Sequence, residues 1–479
     1  MIDQSIPLVL DLDDTLLKTD TLYEQALVFL KRSPLNLFRL VSWLTKGRAA
    51  LKKTLAENVD LGTAHLPLNE EVVALARTAR ESGRKVCIAT AADNRIAQKI
   101  ARRLEFPVDV IASDGTTNLK GKTKARKLEE LFPQGFDYAG DSSADLPVWQ
   151  AARHAILVGT SASTTRKAKS IANVKQVISR PSALKALIKA MRPHQWLKNG
   201  LIFVPALLSG QIFTPAVWPA LFMTFIAMGL VASATYIIND SWDIADDRKH
   251  WSKRKRPLAS GNLSIIHGVI GAIGGLLAGF TLAFAAGPSV AMFLAIYLVL
   301  TLAYSLHLKR LVFHDALVLT SLFTLRLGIG TVASDSPPSP WLFVFSMFFF
   351  LSLALAKRHT EIARVLKMGE TKISGRGYRT EDLPLVLAAG MSAGMAAVVI
   401  MVLYISSDAF LLSFNGYANW LWGFPPLIFI IVSRIWSVCL RNELDDDPIV
   451  FAVEDRQCQI AVAMLGVCFF MAWFGLPLP

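Results

Sequence analysis

The 479-residue chain is 53% hydrophobic, with 27 Phe and 11 Trp, and carries a formal net charge of +13. Beyond residue 195 the apolar residues gather into runs of roughly twenty, the length a membrane helix needs, which excludes a wholly soluble protein. The basic excess sits in short connections between those runs, where it orients a membrane protein and does not argue for nucleic acid.

The four cysteines, Cys87, Cys439, Cys458 and Cys468, show no metal-ligand spacing, so neither a disulfide framework nor a zinc site is expected. No basic region followed by a long apolar run opens the chain. Pro7–Leu10 is too short for a signal peptide, so the N-terminal part is expected in the cytoplasm.

Residues 1 to about 180 read as soluble α/β. Ile6–Leu10 is a short apolar strand running into Asp11-Leu12-Asp13-Asp14-Thr15. Residues 20–80 are mostly helical in pattern, with breaks at Ser33-Pro34, Gly47 and Gly62. Further strands are expected at Lys85–Ala89, ending at Thr90, and at Val108–Ala112, Phe136–Ala139 and Ala155–Val158. The fourth runs into Gly140-Asp141-Ser142-Ser143-Ala144-Asp145. Strands alternating with helices imply a doubly wound parallel sheet with its site at the carboxyl edge, where these polar residues fall.

The chemistry of that edge is phosphoryl transfer. Asp11 and Asp13, two apart, can both face a pocket, one attacking phosphorus while the other gives and then takes a proton. Thr90 can hydrogen-bond the phosphoryl group. Lys124 can neutralise phosphate and nucleophile; it is preferred to Lys120 and Lys122 because Leu128 and Leu131 follow it at helical spacing. Asp141 and Asp145 can hold Mg²⁺ with Asp11, and Asp13 is counted in that metal set too. The ordered motifs resemble the haloacid dehalogenase superfamily. That resemblance implies Asp11 as nucleophile, Asp13 as general acid/base and a helical cap over about 20–80.

Residues 166–190 are basic and amphipathic, with Lys167, Lys169, Lys175, Lys185 and Lys189, and read as a linker beside an anionic membrane surface. From Met191 follows an all-α transmembrane bundle of about nine helices, near 194–212, 216–238, 265–286, 289–307, 313–332, 341–357, 383–406, 420–440 and 457–477. Residues 248–256, Lys309-Arg310, residues 357–379 and Arg441 make alternate connections basic. The connections near 210, 287, 335 and 412 carry no Lys or Arg. The positive-inside rule then puts the basic connections and the N-terminal domain in the cytoplasm, and nine spans put Pro479 outside a bacterial inner membrane.

Asn239-Asp240-Ser241-Trp242-Asp243-Ile244-Ala245-Asp246-Asp247 ends the second span. Asp240, Asp243 and Asp247 are spaced i, i+3, i+7, one face of a continuous helix, and hard oxygen ligands so placed suit Mg²⁺ with a diphosphate. Three further polar clusters belong to the same side. Arg192-Pro193-His194-Gln195-Trp196-Leu197-Lys198-Asn199 opens the membrane part, Tyr304, Lys309 and Asp315 follow the fourth span, and Lys357-Arg358-His359 with Glu361 has Gly375-Arg376-Gly377-Tyr378 behind it. Basic groups here, Arg256 included, suit a diphosphate leaving group. Lys253 and Lys367 need only a topological role, whereas Lys198 and Lys309 lie beside polar motifs. Arg326 falls inside a span and needs a partner, with Asp315 three turns earlier in reach of that role. His314 and His359 suit ordinary hydrogen bonds.

Residues 185–479 resemble the UbiA superfamily of intramembrane prenyltransferases, whose first aspartate motif matches 239–247. The second Asp-x-x-x-Asp motif of its aromatic prenyltransferases is incomplete, because Leu319 stands where the partner of Asp315 would be. The Lys309 pattern and the 192–199 motif look like the decaprenyl-phosphate phosphoribosyltransferase branch. The branch resemblance implies phosphoribosyl diphosphate as donor and polyprenyl phosphate as acceptor, with Mg²⁺ on the aspartates; a homo-oligomer is compatible with it. The expected domains are 1–165, a phosphatase; 166–190, the linker; and 191–479, the transferase. An aromatic polyprenyltransferase with an unrelated phosphatase is the main alternative, and Asp315 standing alone argues against it. A membrane scaffold or lipid-phosphate transporter is the other, and the complete aspartate motif argues against that.

Overall fold

The computed structural model describes residues 6–33, 35–113, 119–373, 375–407, 418–444 and 448–475. Two compact units result, one of residues 1–192 with 236–274, the other of 193–235 with 275–479.

The first unit is built on a six-stranded sheet of order β3-β2-β1-β4-β5-β6. Its strands are β1 (Leu8–Leu10), β2 (Val86–Asp93), β3 (Asp109–Ser113), β4 (Asp137–Gly140), β5 (His154–Val158) and β6 (Val174–Ile178), and every pairing is parallel. Alternation along a strand sends successive side chains to opposite faces. Leu8, Leu10 and Ile88 pack with Val72, Ala76, Ile96 and Ile100, while Val9, Cys87 and Ala89 pack with Leu128, Val148 and Trp149. Helices α4 (Glu70–Glu81) and α5 (Asn94–Ala101) therefore cover one face, and α6 (Lys122–Leu131), α7 (Leu146–Ala151) and α8 (Ala162–Ile171) the other. A sheet covered on both faces needs the near-continuous apolar strands this sequence provides.

Three helices, α1 (Thr21–Arg32), α2 (Asn36–Thr45) and α3 (Arg48–Asn58), leave the sheet after β1 and return at an antiparallel bridge between Leu17 and Leu68. Their own core is Phe29, Leu51, Leu55 and Val59. The helical insert is thus shorter than the expected 20–80, because α4 packs on the sheet and not on the insert.

The expected linker is a correction. Residues 166–171 complete α8, residues 174–178 are the sixth strand, and only α9 (Ala183–Met191) follows, so the α/β fold runs past residue 165. An edge strand need bury little, and β6 buries only Ile178 fully while Lys175 and Gln176 stay exposed, so its sequence looks like a basic surface.

Among the described residues, eight helices are long and apolar enough to cross a membrane: Pro215–Trp242, Ile265–Ala286, Pro288–Leu306, His314–Ala333, Pro340–Lys367, Thr380–Ile405, Ala418–Leu440 and Arg456–Trp473. At about 1.5 Å per residue the twenty-residue His314–Ala333 is about 30 Å long, the thickness of a bilayer's hydrocarbon core. The expected first span, 194–212, is not among the eight. Pro193–Phe203 winds as a tight 3₁₀ helix and passes to a five-residue helix, Val204–Leu208, capped at Ser209-Gly210. Pro205 and Gly210 interrupt what hydropathy reads as one run. The connection near 412 and Pro479 lie outside the described residues.

Candidate functional sites

At the carboxyl edge of the first unit's sheet, β1 delivers Asp11 and β4 delivers Asp141. Lys124, on the first turn of α6, is fully enclosed, with Nζ 3.0 Å from Asp11 Oδ1 and 3.9 Å from Asp145 Oδ1. It also donates to the Tyr138 hydroxyl at 2.9 Å, which in turn donates to Asp145 Oδ1 at 2.9 Å. Lys120 and Lys122 are exposed, whereas Lys124 is buried. Asp145 Oδ2 accepts from the Asp141 and Ser142 backbone amides at 3.3 and 3.1 Å. That fold-back explains Gly140, where a Cβ would lie 2.9 Å from the Asp145 carboxylate and 2.8 Å from the Tyr138 ring.

Asp11, Asp141 and Asp145 place ligand oxygens within 4.8 Å of one another, alone among acidic, His and Cys groups in the described residues. Three hard oxygens at this spacing fit Mg²⁺. Asp13 is outside that trio, and its Oδ1 accepts from the Thr21 amide at 2.9 Å. Burial lifts the Asp13 carboxyl to about 7, with Asp20 adding to the effect against Lys52. Burial also lifts Asp11 to about 6, Lys124 opposing and Asp145 adding. Burial works against the Lys124 ammonium, yet Asp11, Asp145 and Asp141 together raise its pKa. The fully buried Thr90 hydroxyl accepts from the Ala92 amide at 3.0 Å.

The aspartate motif also belongs to the first unit. The helix Trp218–Trp242 stops at Asp243, which takes φ −91°, ψ 8° as the cap of the short helix Ile244–Lys249. The expected unbroken helix with three carboxylates on one face is therefore not formed. Asp240, nearly buried, is gripped by both guanidiniums of Arg192 and Arg256, at 2.6 and 3.0 Å, and Arg256 also reaches Asp247 at 2.7 Å. Arg192 holds a left-handed backbone, φ 52°, and stacks over Tyr236 at 5.1 Å. Burial raises the Asp247 pKa against the pull of Arg256. The donor atoms are chemically right for Mg²⁺, but Asp240, Asp243 and Asp247 are not converged as a formed cation site. Asn239 supplies the carbonyl that receives the Asp243 amide at 2.8 Å.

In the second unit a charged cluster surrounds Asp315. Arg358 Nε lies 2.6 Å from Asp315 Oδ2, a charge contact without hydrogen-bond alignment, and its Nη1 lies 2.5 Å from Glu361 Oε2. Arg376 reaches the same two carboxylates at 3.3 and 3.1 Å, the Tyr378 hydroxyl donates to Asp315 at 2.7 Å, and Arg376 donates to Tyr304 at 3.2 Å. Bonded partners here lie up to 72 positions apart, so only their polar character inside or beside spans marked them. Lys309 lies on the turn Leu308–Arg310, and Lys357 precedes Arg358 on the helix Pro340–Lys367. Lys198 Nζ stands 5.9 Å over the Phe323 ring.

Arg326 is not the partner of Asp315. Eleven residues along one helix separate them by about 16 Å, and Arg326 instead donates to Asn199 Oδ1 at 3.1 Å and to the Tyr297 hydroxyl at 3.3 Å. His359 meets Cys439 Sγ at 3.3 Å and His314 meets the Val312 carbonyl at 3.1 Å, both ordinary contacts. The sequence reading missed Glu24, Arg180 and Arg248, which carry no motif. Arg180 pairs with Asp14 at 3.0 Å.

The chain thus joins an α/β unit with an acidic, lysine-centred edge to a part made of apolar helices long enough to cross a membrane and carrying buried charge, the architecture of an integral membrane protein. Residues 202–454, more than half of the chain, match the UbiA prenyltransferase family, and the chain belongs to that family. It is 40% identical over 474 residues to uncharacterized protein y4nM of Sinorhizobium fredii, covering 98% of this chain and 92% of that one. Nodulation protein NoeC of Azorhizobium caulinodans is 33% identical over 59% of this chain and 92% of its own length. Decaprenyl-phosphate phosphoribosyltransferase of Mycolicibacterium smegmatis is 29% identical over 60% of this chain and 90% of its own.

Proposed function

We propose that the chain is a bifunctional, Mg²⁺-dependent membrane enzyme. It transfers 5-phosphoribose from phosphoribosyl diphosphate to polyprenyl phosphate, then removes the 5-phosphate to leave polyprenylphosphoryl ribose. The observation that carries this reading is the buried Asp11–Lys124–Asp145 constellation with Asp13 beside it, which we read as a phosphomonoesterase site of the haloacid dehalogenase kind. An aromatic prenyl transfer leaves no phosphate on its product, whereas a phosphoribosyl transfer leaves one. The likeness to a decaprenyl-phosphate phosphoribosyltransferase supports the same donor. A shared chain gives the phosphatase its membrane-bound substrate at high effective concentration.

In transfer, the bond from ribose C1 to diphosphate breaks and the diphosphate keeps the electron pair. A phosphate oxygen of the lipid forms the new bond to C1. Arg192 and Arg256 take up developing negative charge. Asp240, Asp243 and Asp247 offer hard oxygens for Mg²⁺, which when bound neutralises diphosphate. Lys309 is assigned to catalysis, and Lys198, Asn239, Tyr304, Asp315, Lys357 and Arg358 with Arg192 and Arg256 to substrate binding, on the cytoplasmic side of the bacterial inner membrane.

In dephosphorylation, an Asp11 oxygen attacks phosphorus. Asp13, held as a carboxylic acid near neutrality by burial, gives its proton to the departing ribose oxygen. Water then attacks the aspartyl phosphate, Asp13 takes that proton, and phosphate leaves. Lys124 offsets charge at Asp11 throughout, and Thr90 holds the phosphoryl group.

Purified protein with Mg²⁺, labelled phosphoribosyl diphosphate and polyprenyl phosphate is expected to yield labelled lipid, and no labelled lipid sinks the reading. Asp240→Ala is expected to stop transfer, and Asp11→Asn to make the 5-phosphorylated lipid accumulate.

A further inference from the structure

Beside the phosphatase edge lies a cavity of about 590 Å³, within the range of about 300–1,000 Å³ typical of small-molecule sites. Asp141, one of the three carboxylates that fit Mg²⁺, lines it, as do Asp14, Asp20 and Tyr23 from the segment after β1. Another part of the lining comes from much later in the chain. Gly261, Asn262, Ser264 and the first turn of the helix Ile265–Ala286, with His267, all belong to the segment that continues from the aspartate motif.

That wall is seated, not merely near. Gly261 has φ +73°, and a Cβ there would meet Lys18 O at 2.5 Å, so this loop lies directly against the loop carrying Asp11 and Asp13. The lining also selects a chemical class. It offers three carboxylates, an amide, an imidazole and hydroxyls, which suit the donors and acceptors of a polyhydroxylated ligand. Arg180 is the only guanidinium or ammonium in the lining, and Asp14 engages it, so a second phosphate finds no cation here. Tyr23 is the only aromatic ring besides His267, so a nucleobase finds no stacking sandwich.

We propose that this cavity is the sugar subsite of the phosphatase. Residues 261–267 form its specificity wall, and the ligand is a phosphorylated sugar whose phosphate reaches the Asp11, Asp141 and Asp145 end. This rests on the phosphatase reading above and deepens it: the loop that follows the transferase's aspartates chooses the phosphatase's substrate. Asn262 is the most direct test, because it is exposed and makes no hydrogen bond among the described residues, so its loss removes no internal hydrogen bond.

The full chain in lipid nanodiscs is assayed on three phosphomonoesters: the 5-phosphorylated lipid made by Asp11→Asn, free ribose 5-phosphate, and p-nitrophenyl phosphate, which has no sugar. The readout is the ratio of kcat/KM for each sugar phosphate to that for p-nitrophenyl phosphate. Asn262→Ala and His267→Ala are each expected to lower the ratio at least tenfold, and Asn262→Asp to lower it less than Asn262→Ala. A ratio that falls for the lipid alone identifies the lipid-linked sugar as the ligand, and one that falls for both identifies the sugar phosphate wherever it comes from. Ratios within twofold of the unsubstituted protein for both sugars overturn the subsite. If the unsubstituted protein hydrolyses none of the three esters, the phosphatase reading itself fails, a result separate from loss of discrimination.

Discussion

Glu24 and Arg248 form a two-pronged ion pair within the first unit, Nη1 to Oε2 at 3.0 Å and Nη2 to Oε1 at 2.6 Å. The side chains are only 3% and 5% exposed, and Thr19 adds a third donor to Glu24 at 2.6 Å. One partner stands on the first helix of the insert and the other on the helix that carries Asp247. Breaking a buried pair from one side leaves the other charge uncompensated, which costs roughly 3–5 kcal/mol. Arg248→Ala is therefore expected to lower the melting temperature of the first unit by about 2–4 °C per kcal/mol lost. Adding Glu24→Gln is expected to restore part of the loss, because the stranded charge is then gone. Scanning calorimetry of the full chain in detergent reads both, and a single variant that melts with the parent contradicts the pair's role.

Lys124 holds two carboxylates that repel one another. Lys124→Met removes that compensation without removing bulk, and phosphomonoester hydrolysis is expected to fall about 10²-fold or more, the scale of a lost electrostatic stabiliser. Steady-state kinetics on p-nitrophenyl phosphate measures it. Activity within threefold of the parent would remove Lys124 from the catalytic set.

The trio of Asp11, Asp141 and Asp145 leads to a metal prediction. Chelation with EDTA is expected to stop hydrolysis and Mg²⁺ to restore it. Asp141→Asn is expected to raise the Mg²⁺ concentration for half-maximal activity at least tenfold, as removal of a carboxylate ligand should. Titration of activity against Mg²⁺ decides it, and an unchanged midpoint would exclude Asp141 as a ligand.

Asp315 is completely buried, and Arg358 next to it is 1% exposed. Arg358→Leu strands that carboxylate with only Arg376 and Tyr378 and is expected to destabilise the second unit by roughly 3–5 kcal/mol. Asp315→Asn keeps the shape and the Tyr378 contact and is expected to cost less. Thermal unfolding in detergent orders the two, and Asp315→Asn melting below Arg358→Leu reverses the expectation.

Four strands were legible because each is a short apolar run largely buried in the sheet, and β3, at one sheet edge and only half-buried, because Val110, Ile111 and Ala112 still make an apolar run. The sixth was not, since a strand at the sheet edge is free to carry Lys175 and Gln176 outward. The lysine at 124 could be chosen from the leucines behind it, because a helix that buries Leu128 on the sheet turns position 124 the same way. The break at Asp243 left no mark, as neither proline nor glycine stands there. Arg326 was paired by distance along the sequence, whereas its partner Asn199 comes from another part of the chain. Pairings between distant segments, Glu24 with Arg248 and Asp14 with Arg180, are set by packing, and no spacing rule reports them.

The first unit is threaded twice by the chain, at residues 1–192 and again at 236–274. Synthesis therefore makes the sheet, Asp11 and Lys124 well before it makes Arg248 or Gly261. A ribosome that has reached residue 192 has left Glu24 as a buried acid with no guanidinium, and the cavity beside Asp141 with one side missing. The helix Trp218–Trp242 is made before either arrives. The first unit is thus completed only by chain made after the first long apolar helix, so its folding follows the emergence of that helix.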